Sequence, residues 1–162
     1  MRVESLNLAD APACARLWHA LGLTRPWNDP VADAERAMTG ATSTVLGVRH
    51  DGHLLATAMV GHDGHRGWVY YLGVDADQRG RGLARGLMAA AEEWLAERSV
   101  PKVQLMVRHS NSSATHFYER LGYGREEVTV MSRWLDPHPE EPKANAPGAT
   151  APVIRGGSPG RP

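Results

Sequence analysis

Cysteine is almost absent from this chain. Among its 162 residues only Cys14 carries a thiol. A single cysteine excludes an internal disulfide framework, and proteins without disulfides are typical of a reducing compartment. We therefore predict a cytoplasmic protein in which Cys14 is packed as a small apolar side chain.

An excess of charge of either sign is also missing, because 18 basic residues (Lys and Arg) are balanced by 18 acidic ones (Asp and Glu). General binders of nucleic acids or other polyanions are usually basic overall, so no nucleic-acid partner is predicted. No apolar run is long enough to cross a membrane, and the first residues, MRVESLNLAD, lack the apolar segment of a signal peptide. We therefore predict neither membrane contact nor export.

Large apolar residues are scarce in the last part of the chain. Residues 136–162 contain seven of the eleven prolines and four glycines. Such a composition does not bury enough apolar surface to offset the entropy of folding. We predict one folded domain over residues 1–135 and a disordered Pro/Gly-rich tail over 136–162.

The remaining sequence alternates between strand and helix patterns, which predicts an α/β (α+β) domain whose first half is mostly antiparallel. Asp51-Gly52 is typical of a type I′ hairpin turn, and Asp10 and Asn28-Asp29 are predicted helix caps. The predicted strands cover residues 1–6, 44–49, 54–60, 68–74, 102–107 and 127–135, and the predicted helices 10–22, 31–38, 83–98 and 111–121.

The most informative stretch is residues 68–88, WVYYLGVDADQRGRGLARGLM. A predicted buried strand is followed by a basic, glycine-rich step, Arg79-Gly80-Arg81-Gly82, and then by a helix. The first turn of a helix has N–H groups without partners and attracts negative charge, and glycine allows a phosphate to approach the backbone. The stretch therefore predicts a site for a phosphate-bearing ligand.

Two common phosphate-binding motifs are absent. No G-x-x-x-x-G-K-S/T string occurs, which excludes a P-loop. The dinucleotide motif G-x-G-x-x-G fails because Arg85 stands at its third glycine position, and the following strand, KVQLMV, ends without the acidic residue that would bind a ribose. A nucleotide-binding protein is therefore disfavoured.

Two other motifs occur in order. Arg79-x-x-Gly82-x-Ala84 matches R/Q-x-x-G-x-G/A, and residues 111–123 match N-x-x-A-x-x-F-Y-x-x-x-G-F/Y. Together they resemble the GNAT N-acetyltransferases over residues 1–135. The resemblance implies the GNAT fold, a mixed and largely antiparallel sheet flanked by helices. Within the superfamily, RPWNDP and DGHRGWVYYLGV resemble a bacterial YpeA-like group.

This resemblance implies a site for acetyl-CoA as cosubstrate. The strands at 68–74 and 102–107 would separate, and the pantetheine arm would bind the backbone of Leu72, Gly73 and Val74, with an N–H near Gly73 polarising the thioester. Asn111 would bind the same arm, or cap a helix, or do both. The pyrophosphate would be bound by Arg79, Gly80, Arg81, Gly82, Leu83 and Ala84; for Arg81 and Arg85 a solvated helix start is an equal alternative.

Tyr118 stands at the position of the general acid in the resembled family, where it would protonate the leaving thiolate. Without the surrounding motif it would be read as a core aromatic residue of an amphipathic helix. The resemblance implies direct attack by a primary amine of a small molecule, peptide or protein. We predict an enzyme of this kind, a monomer or homodimer.

A base for the amine is not evident. The two strands carry no acid, which favours an alternative function as a non-catalytic acetyl-CoA sensor or interaction module. Met106 falls where the resembled protein N-terminal acetyltransferases have glutamate, which disfavours a ribosomal-protein-type acceptor. Tyr70, Tyr71 or His109 through water, or a loop group (Asp63 or His65), are the candidates for proton removal. The His62–Asp63–His65 cluster is interpreted as a turn, and no metal is predicted.

Overall fold

The structure is a computed structural model that describes residues 2–135. Five strands and four helices alternate much as predicted, and none of the described helices is long and apolar enough to span a bilayer. In chain order the elements are β1 (Val3–Ser5), α1 (Ala11–Ala20), α2 (Pro30–Thr39), β2 (Ser43–His50), β3 (His53–His62), β4 (Gly67–Val74), α3 (Leu83–Ala96), β5 (Val103–Gln104) and α4 (Ser112–Arg120).

The five strands form one sheet in the order β1-β2-β3-β4-β5. The first four are antiparallel neighbours, and β5 pairs parallel to β4. A mixed sheet flanked by helices confirms the predicted fold class. The predicted hairpin turn is confirmed as well, since Asp51 and Gly52 have φ values of 48° and 78°, as a type I′ turn requires.

Two apolar layers cover the two faces of this sheet. On one face α3 packs against β2, β3 and β4 through a buried cluster that includes Leu87, Met88 and Leu95, and residues of α4 border it. On the other face α1 and α2 pack through a second cluster that includes Trp18 and Val45. Cys14 belongs to this second cluster, and burial raises the pKa of its thiol to about 12, which confirms that it is a packed side chain.

Of the two predicted helix caps, one is confirmed and one is corrected. The Asp29 carboxylate accepts hydrogen bonds from Val31 N and Ala32 N at the start of α2. Asp10 makes no such bond to α1. It closes a short 3-10 turn by accepting from Asn7 N and forms an ion pair with Arg49 on β2, because that cation lies beside it.

Two predicted strands differ from the structure. β5 is only two residues long instead of spanning 102–107, and the strand predicted over 127–135 is wrong, since residues 124–135 have no helix or strand. The valines and Met131 of the latter segment favour a strand, but Val128 is 69% exposed. Strand propensity expresses packing on a sheet and does not form a strand without a paired neighbour. The predicted tail, residues 136–162, lies outside the described residues.

Candidate functional site

The centre of β4 contains a bulge. Thr57 of β3 pairs with Gly73, and Met59 pairs with Tyr70, so that Tyr71 and Leu72 both lie opposite one residue, Ala58. Tyr71 adopts a left-handed conformation with φ of 49°. Bulges of this kind re-aim side chains and backbone groups and are common beside binding sites.

The outer edge of β4 is open over most of its length. β5 pairs only with Gly67 and Trp68, through Val103 and Gln104. Within the described residues, positions 69–74 therefore have no neighbouring strand on that side. Unpaired backbone N–H and C=O groups at such an edge need partners, which an extended molecule with amide groups supplies.

The glycine-rich step leads directly into α3. Gly80 and Gly82 have φ values of 76° and 79°, and Gly82 is the N-terminal cap residue of the helix, without a side-chain cap. The first N–H groups of α3 are therefore not used by a capping side chain. The positive end of a 14-residue helix faces this point, which favours an anion there.

A cavity of about 370 Å³ lies at this helix start. Three arginines line it, and none of the three forms an ion pair within residues 2–135. Such a concentration of positive charge fits a pyrophosphate group. The lining residues are Val74, Gln78, Arg79, Gly80, Gly82, Leu83, Ala84, Arg85, Phe117 and Arg120.

Phe117 and Arg120 were missed in the sequence. Both belong to α4, so that this helix lines the cavity together with the glycine-rich step. Their signal was present in the second motif, because residues three apart on a helix share a face. Arg81 was predicted as a pyrophosphate ligand, but its side chain is exposed and it is not among the residues that line the cavity.

The other predicted cofactor residues lie near the cavity or along the strand. Leu72 packs towards the layer of α3. Gly73 is buried, and a Cβ there would lie 2.6 Å from Leu21 Cδ1, so the backbone approaches the end of α1 closely. Asn111 caps α4, since its Oδ1 accepts from Ala114 N at 3.1 Å.

Tyr118 lies in an aromatic cluster. Its ring meets those of Phe117 and Tyr123 edge-on, at centroid distances of 5.1 and 5.8 Å. Its hydroxyl has no hydrogen-bond partner among residues 2–135, whereas the Tyr123 hydroxyl donates to Glu92 at 2.6 Å. Burial raises the pKa of Tyr118, so this phenol keeps its proton at neutral pH and is able to donate it.

On the other face of the sheet, the bulge contacts α1 and α2. The Tyr71 ring stacks on Trp18 with centroids 4.0 Å apart, and its hydroxyl donates to Asp33 Oδ2 at 2.8 Å. Trp18 Nε1 donates to the buried Thr57 hydroxyl, which in turn donates to the Tyr71 carbonyl. Burial, and then the hydrogen bond to Asp33, raise the pKa of Tyr71. This tyrosine is thus held from three elements.

The His62–Asp63–His65 cluster is a turn. Asp63 Oδ1 accepts from His65 N and Arg66 N, and these bonds lower the pKa of Asp63 to about 2. The residues described contain no group of three or more His, Cys, Asp or Glu suited to a metal ion. The turn joins β3 to the start of β4. Gly67, the first residue of β4, lies six residues before Gly73, which at roughly 3.3 Å per residue is about 20 Å. Asp63 and His65 are therefore not placed to remove a proton from an amine at Gly73.

The glycine-rich step allows a test with two matched variants. Gly82→Ala is expected to lower the free energy of unfolding by about 1–2 kcal/mol, because alanine is strained at positive φ. Gly86→Ala, four residues on within α3, is expected to raise it by up to about 1 kcal/mol, because alanine favours the helix. A Cβ meets nothing within 4 Å at either position. Urea unfolding measures both values, and shifts of the same sign would contradict the assigned backbone.

Comparison with protein families gives a direct match. Residues 13–123, more than half of the chain, match the model of the acetyltransferase (GNAT) family. This range begins in α1 and ends beyond α4, so that it includes the bulge, the open edge of β4 and the cavity at the start of α3.

Several solved structures share the fold. A ribosomal-protein-alanine N-acetyltransferase from Brucella melitensis biovar Abortus 2308 is 25% identical, with a TM-score of 0.67 over 82% of this chain and 98% of its own. The BH1408 protein of Bacillus halodurans, as a tetramutant, is 22% identical, with a TM-score of 0.68 over 83% and 100%. The aminoglycoside enzyme AAC(6')-Iy, in complex with the bisubstrate analogue CoA-S-monomethyl-acetylneamine, is 17% identical, with a TM-score of 0.70 over 82% and 97%.

Proposed function

Since this chain belongs to the acetyltransferase (GNAT) family, we propose that residues 1–135 form an acetyl-CoA-dependent N-acetyltransferase domain and that residues 136–162 are a tail outside it. The observation that carries the proposal is the cavity at the start of α3, which lies beside the open edge of β4. Within the family we propose a YpeA-like enzyme, supported by RPWNDP and the β4 sequence.

The cosubstrate is bound in two parts. Its pyrophosphate occupies the cavity, where the first N–H groups of α3 and the guanidinium groups of Arg79, Arg85 and Arg120 meet it. Its pantetheine arm lies along residues 72–74 as an additional strand. The bulge supports this placement, because it leaves one residue of β4 outside the ladder with β3 at the position where a backbone N–H would polarise the thioester carbonyl.

The reaction is a direct transfer. The amine nitrogen bonds to the thioester carbon and gives up one proton to water, the carbon–sulfur bond breaks, and the thiolate takes the proton of the Tyr118 hydroxyl. One observation supports Tyr118 in this role: its hydroxyl has no hydrogen-bond partner among residues 2–135 and is free to donate to the thiolate. Burial raises its pKa, which keeps the proton bound until the thiolate forms. The phenol is therefore protonated when the thiolate forms, and solvent restores its proton afterwards.

The proposal is tested by binding and by turnover. Calorimetry with acetyl-CoA is expected to show binding at sub-millimolar cofactor. Release of CoA thiol is expected with at least one member of a panel that contains amino acids, polyamines, aminoglycosides and peptide N-termini. Absence of binding at millimolar acetyl-CoA, or preference for ATP or NAD, would reject the proposal.

The lining of the cavity predicts which arginine contributes to the affinity for acetyl-CoA. Arg79→Ala is expected to weaken acetyl-CoA binding by about 10- to 100-fold, because it removes a charged donor to the pyrophosphate. Arg81→Ala removes the same charge two residues away, from a side chain outside the lining, and is expected to have a much smaller effect. Calorimetry at constant salt measures both, and equal losses would contradict the placement of the pyrophosphate.

A second candidate function is a non-catalytic acetyl-CoA sensor. It is favoured by the absence of any Asp or Glu at residues 68–74 and 102–107, where a base is expected. It predicts tight acetyl-CoA binding without thiol release across the whole amine panel. We propose a monomer or homodimer in either case, which sedimentation measures.

A further inference from the structure

The two faces of the sheet carry different parts of the proposed site. The cavity for the pyrophosphate is lined by the start of α3 and by α4, which lie on the same face. In the proposed complex this leaves the other face, the one covered by α1 and α2, for an acceptor that approaches the open edge of β4. Groups of that second layer are then the candidates for recognising it.

Most carboxylates of this layer are already engaged in local structure. Asp10 closes a 3-10 turn and pairs with Arg49, and Asp29 caps α2 with its Oδ1. Asp33 pairs with Arg36 of its own helix, but it also reaches from the first turn of α2 to the bulge of β4, where it accepts from the Tyr71 hydroxyl at 2.8 Å. It is the carboxylate on this face that touches the strand of the proposed thioester site.

The surroundings of Asp33 attract a cation. Its side chain is only 19% exposed, so water weakens its charge less than at an open surface. The guanidinium of Arg36, itself 70% exposed, already pairs with its Oδ1 from the solvent side. Asn28 Nδ2 approaches Oδ2 at 3.4 Å. Arg36 thus binds this carboxylate from an exposed position, and an incoming ammonium group would share the carboxylate with it.

Distance decides which group of the acceptor this carboxylate meets. A whole tyrosine side chain and a hydrogen bond of 2.8 Å separate Asp33 from the β4 backbone. The reacting nitrogen must come within about 3–3.5 Å of the thioester carbon, which lies at that backbone in the proposed complex. Asp33 is therefore too far away to bind the reacting amine and is placed for a second group of the same molecule.

We propose that Asp33 is an anionic subsite that binds a second, non-reacting ammonium group of the acceptor, so that the acceptor is a diamine, polyamine or amino sugar. The inference rests on the proposed transferase function and narrows its substrate class. Tyr71 is a positioning residue in this site, because its stack on Trp18 and its hydrogen bond orient the Asp33 carboxylate.

The test compares matched amines. With full-length protein and acetyl-CoA, thiol release is measured for putrescine against butylamine, cadaverine against pentylamine, and for spermidine. The wild-type protein is expected to prefer each diamine over its monoamine. Asp33→Asn, which keeps the size of the side chain, is expected to lower kcat/KM for the diamines by about 10- to 100-fold and to leave the monoamines unchanged.

Two further variants separate recognition from folding. Glu35→Gln removes a carboxylate of the same helix from an exposed position two residues along, and is expected to leave the preference intact. Tyr71→Phe keeps the charge and the ring but not the hydrogen bond, and is expected to reduce the preference less than Asp33→Asn does. The acetyl-CoA affinity of all three variants is expected to match the wild type.

The outcomes are distinct. Loss of the diamine preference in Asp33→Asn but not in Glu35→Gln, with unchanged acetyl-CoA binding, supports the subsite. A wild-type protein without that preference, or a preference that survives Asp33→Asn, overturns the subsite and leaves the transferase function standing. Absence of thiol release with every amine, including the wider panel, overturns the transferase function and the subsite together.

Discussion

Tyr118→Phe is expected to lower kcat by about 10²- to 10⁴-fold and to leave the affinity for acetyl-CoA nearly unchanged. The range is that of a single general acid. The ring is retained, so its edge-on packing against Phe117 and Tyr123 is preserved and only the hydroxyl is lost. Thiol release under saturating acetyl-CoA measures kcat, and calorimetry measures the affinity.

Tyr123→Phe is the matched control for this experiment. It removes a hydroxyl from the same aromatic cluster, but one that donates to the Glu92 carboxylate at 2.6 Å. We expect it to change kcat little. If both variants lost the same activity, the effect would come from the packing of α4, and Tyr118 would not be the acid. Because burial raises the pKa of Tyr118 above its ordinary value of about 10, wild-type kcat is not expected to fall with deprotonation of this phenol until the pH exceeds that value.

Trp18→Ala is expected to lower the free energy of unfolding by about 3–5 kcal/mol. Trp18 is fully buried, stacks on Tyr71 and donates its indole N–H to Thr57. The substitution removes the largest side chain of the second core layer and leaves the Thr57 hydroxyl without its donor. Since domains are stable by about 5–15 kcal/mol, such a loss is a large share of the total. Urea unfolding followed by circular dichroism measures it.

Trp94→Ala provides the comparison within the same fold. Trp94 is partly buried on α3, where the Arg98 guanidinium lies 3.8 Å from the centre of its ring. A cation–π pair at a partly exposed site contributes only about 0.5–1 kcal/mol beyond the packing of the ring. We therefore expect a clearly smaller loss than for Trp18→Ala. A larger loss for Trp94 would contradict the inference that the fully buried Trp18 contributes more to stability than the partly buried Trp94.

Local chemistry explains which parts of the fold were predictable. The Asp51-Gly52 turn and the Asp29 cap depend on residues adjacent in the chain, and both are confirmed. The strand predicted over residues 127–135 was wrong, because strand formation needs a paired neighbour that composition does not reveal. The role of Asp10 was wrong for a related reason: its partner, Arg49, is distant in sequence.

The same distinction applies to the site. The glycine-rich step was visible because its function depends on backbone conformation at neighbouring positions, and the structure gives Gly80 and Gly82 positive φ values. Arg120 and Asp33 were not singled out, because each reaches the site from another helix by tertiary packing. The bulge was also unpredictable, since it is a matter of register between two strands. The assignments of residues 72–74, 79–84, 111 and 118 to acetyl-CoA and its reaction stay predictions.

The alternation of side chains along β4 shows what its additional residue does. Gly67 and Val69 face the α3 layer before the bulge, and Leu72 and Val74 face the same layer after it. If Tyr71 were deleted, all the remaining side chains of β4 would keep their faces, and the ladder with β3 would become regular. The ladder between β3 and β4 therefore does not require this residue, whose left-handed backbone is a strain that the shorter strand would not carry; its contribution is the packing on Trp18 and the bond to Asp33. A protein shortened by this one residue is expected to fold with its sheet intact, but without the tyrosine that joins β4 to Asp33.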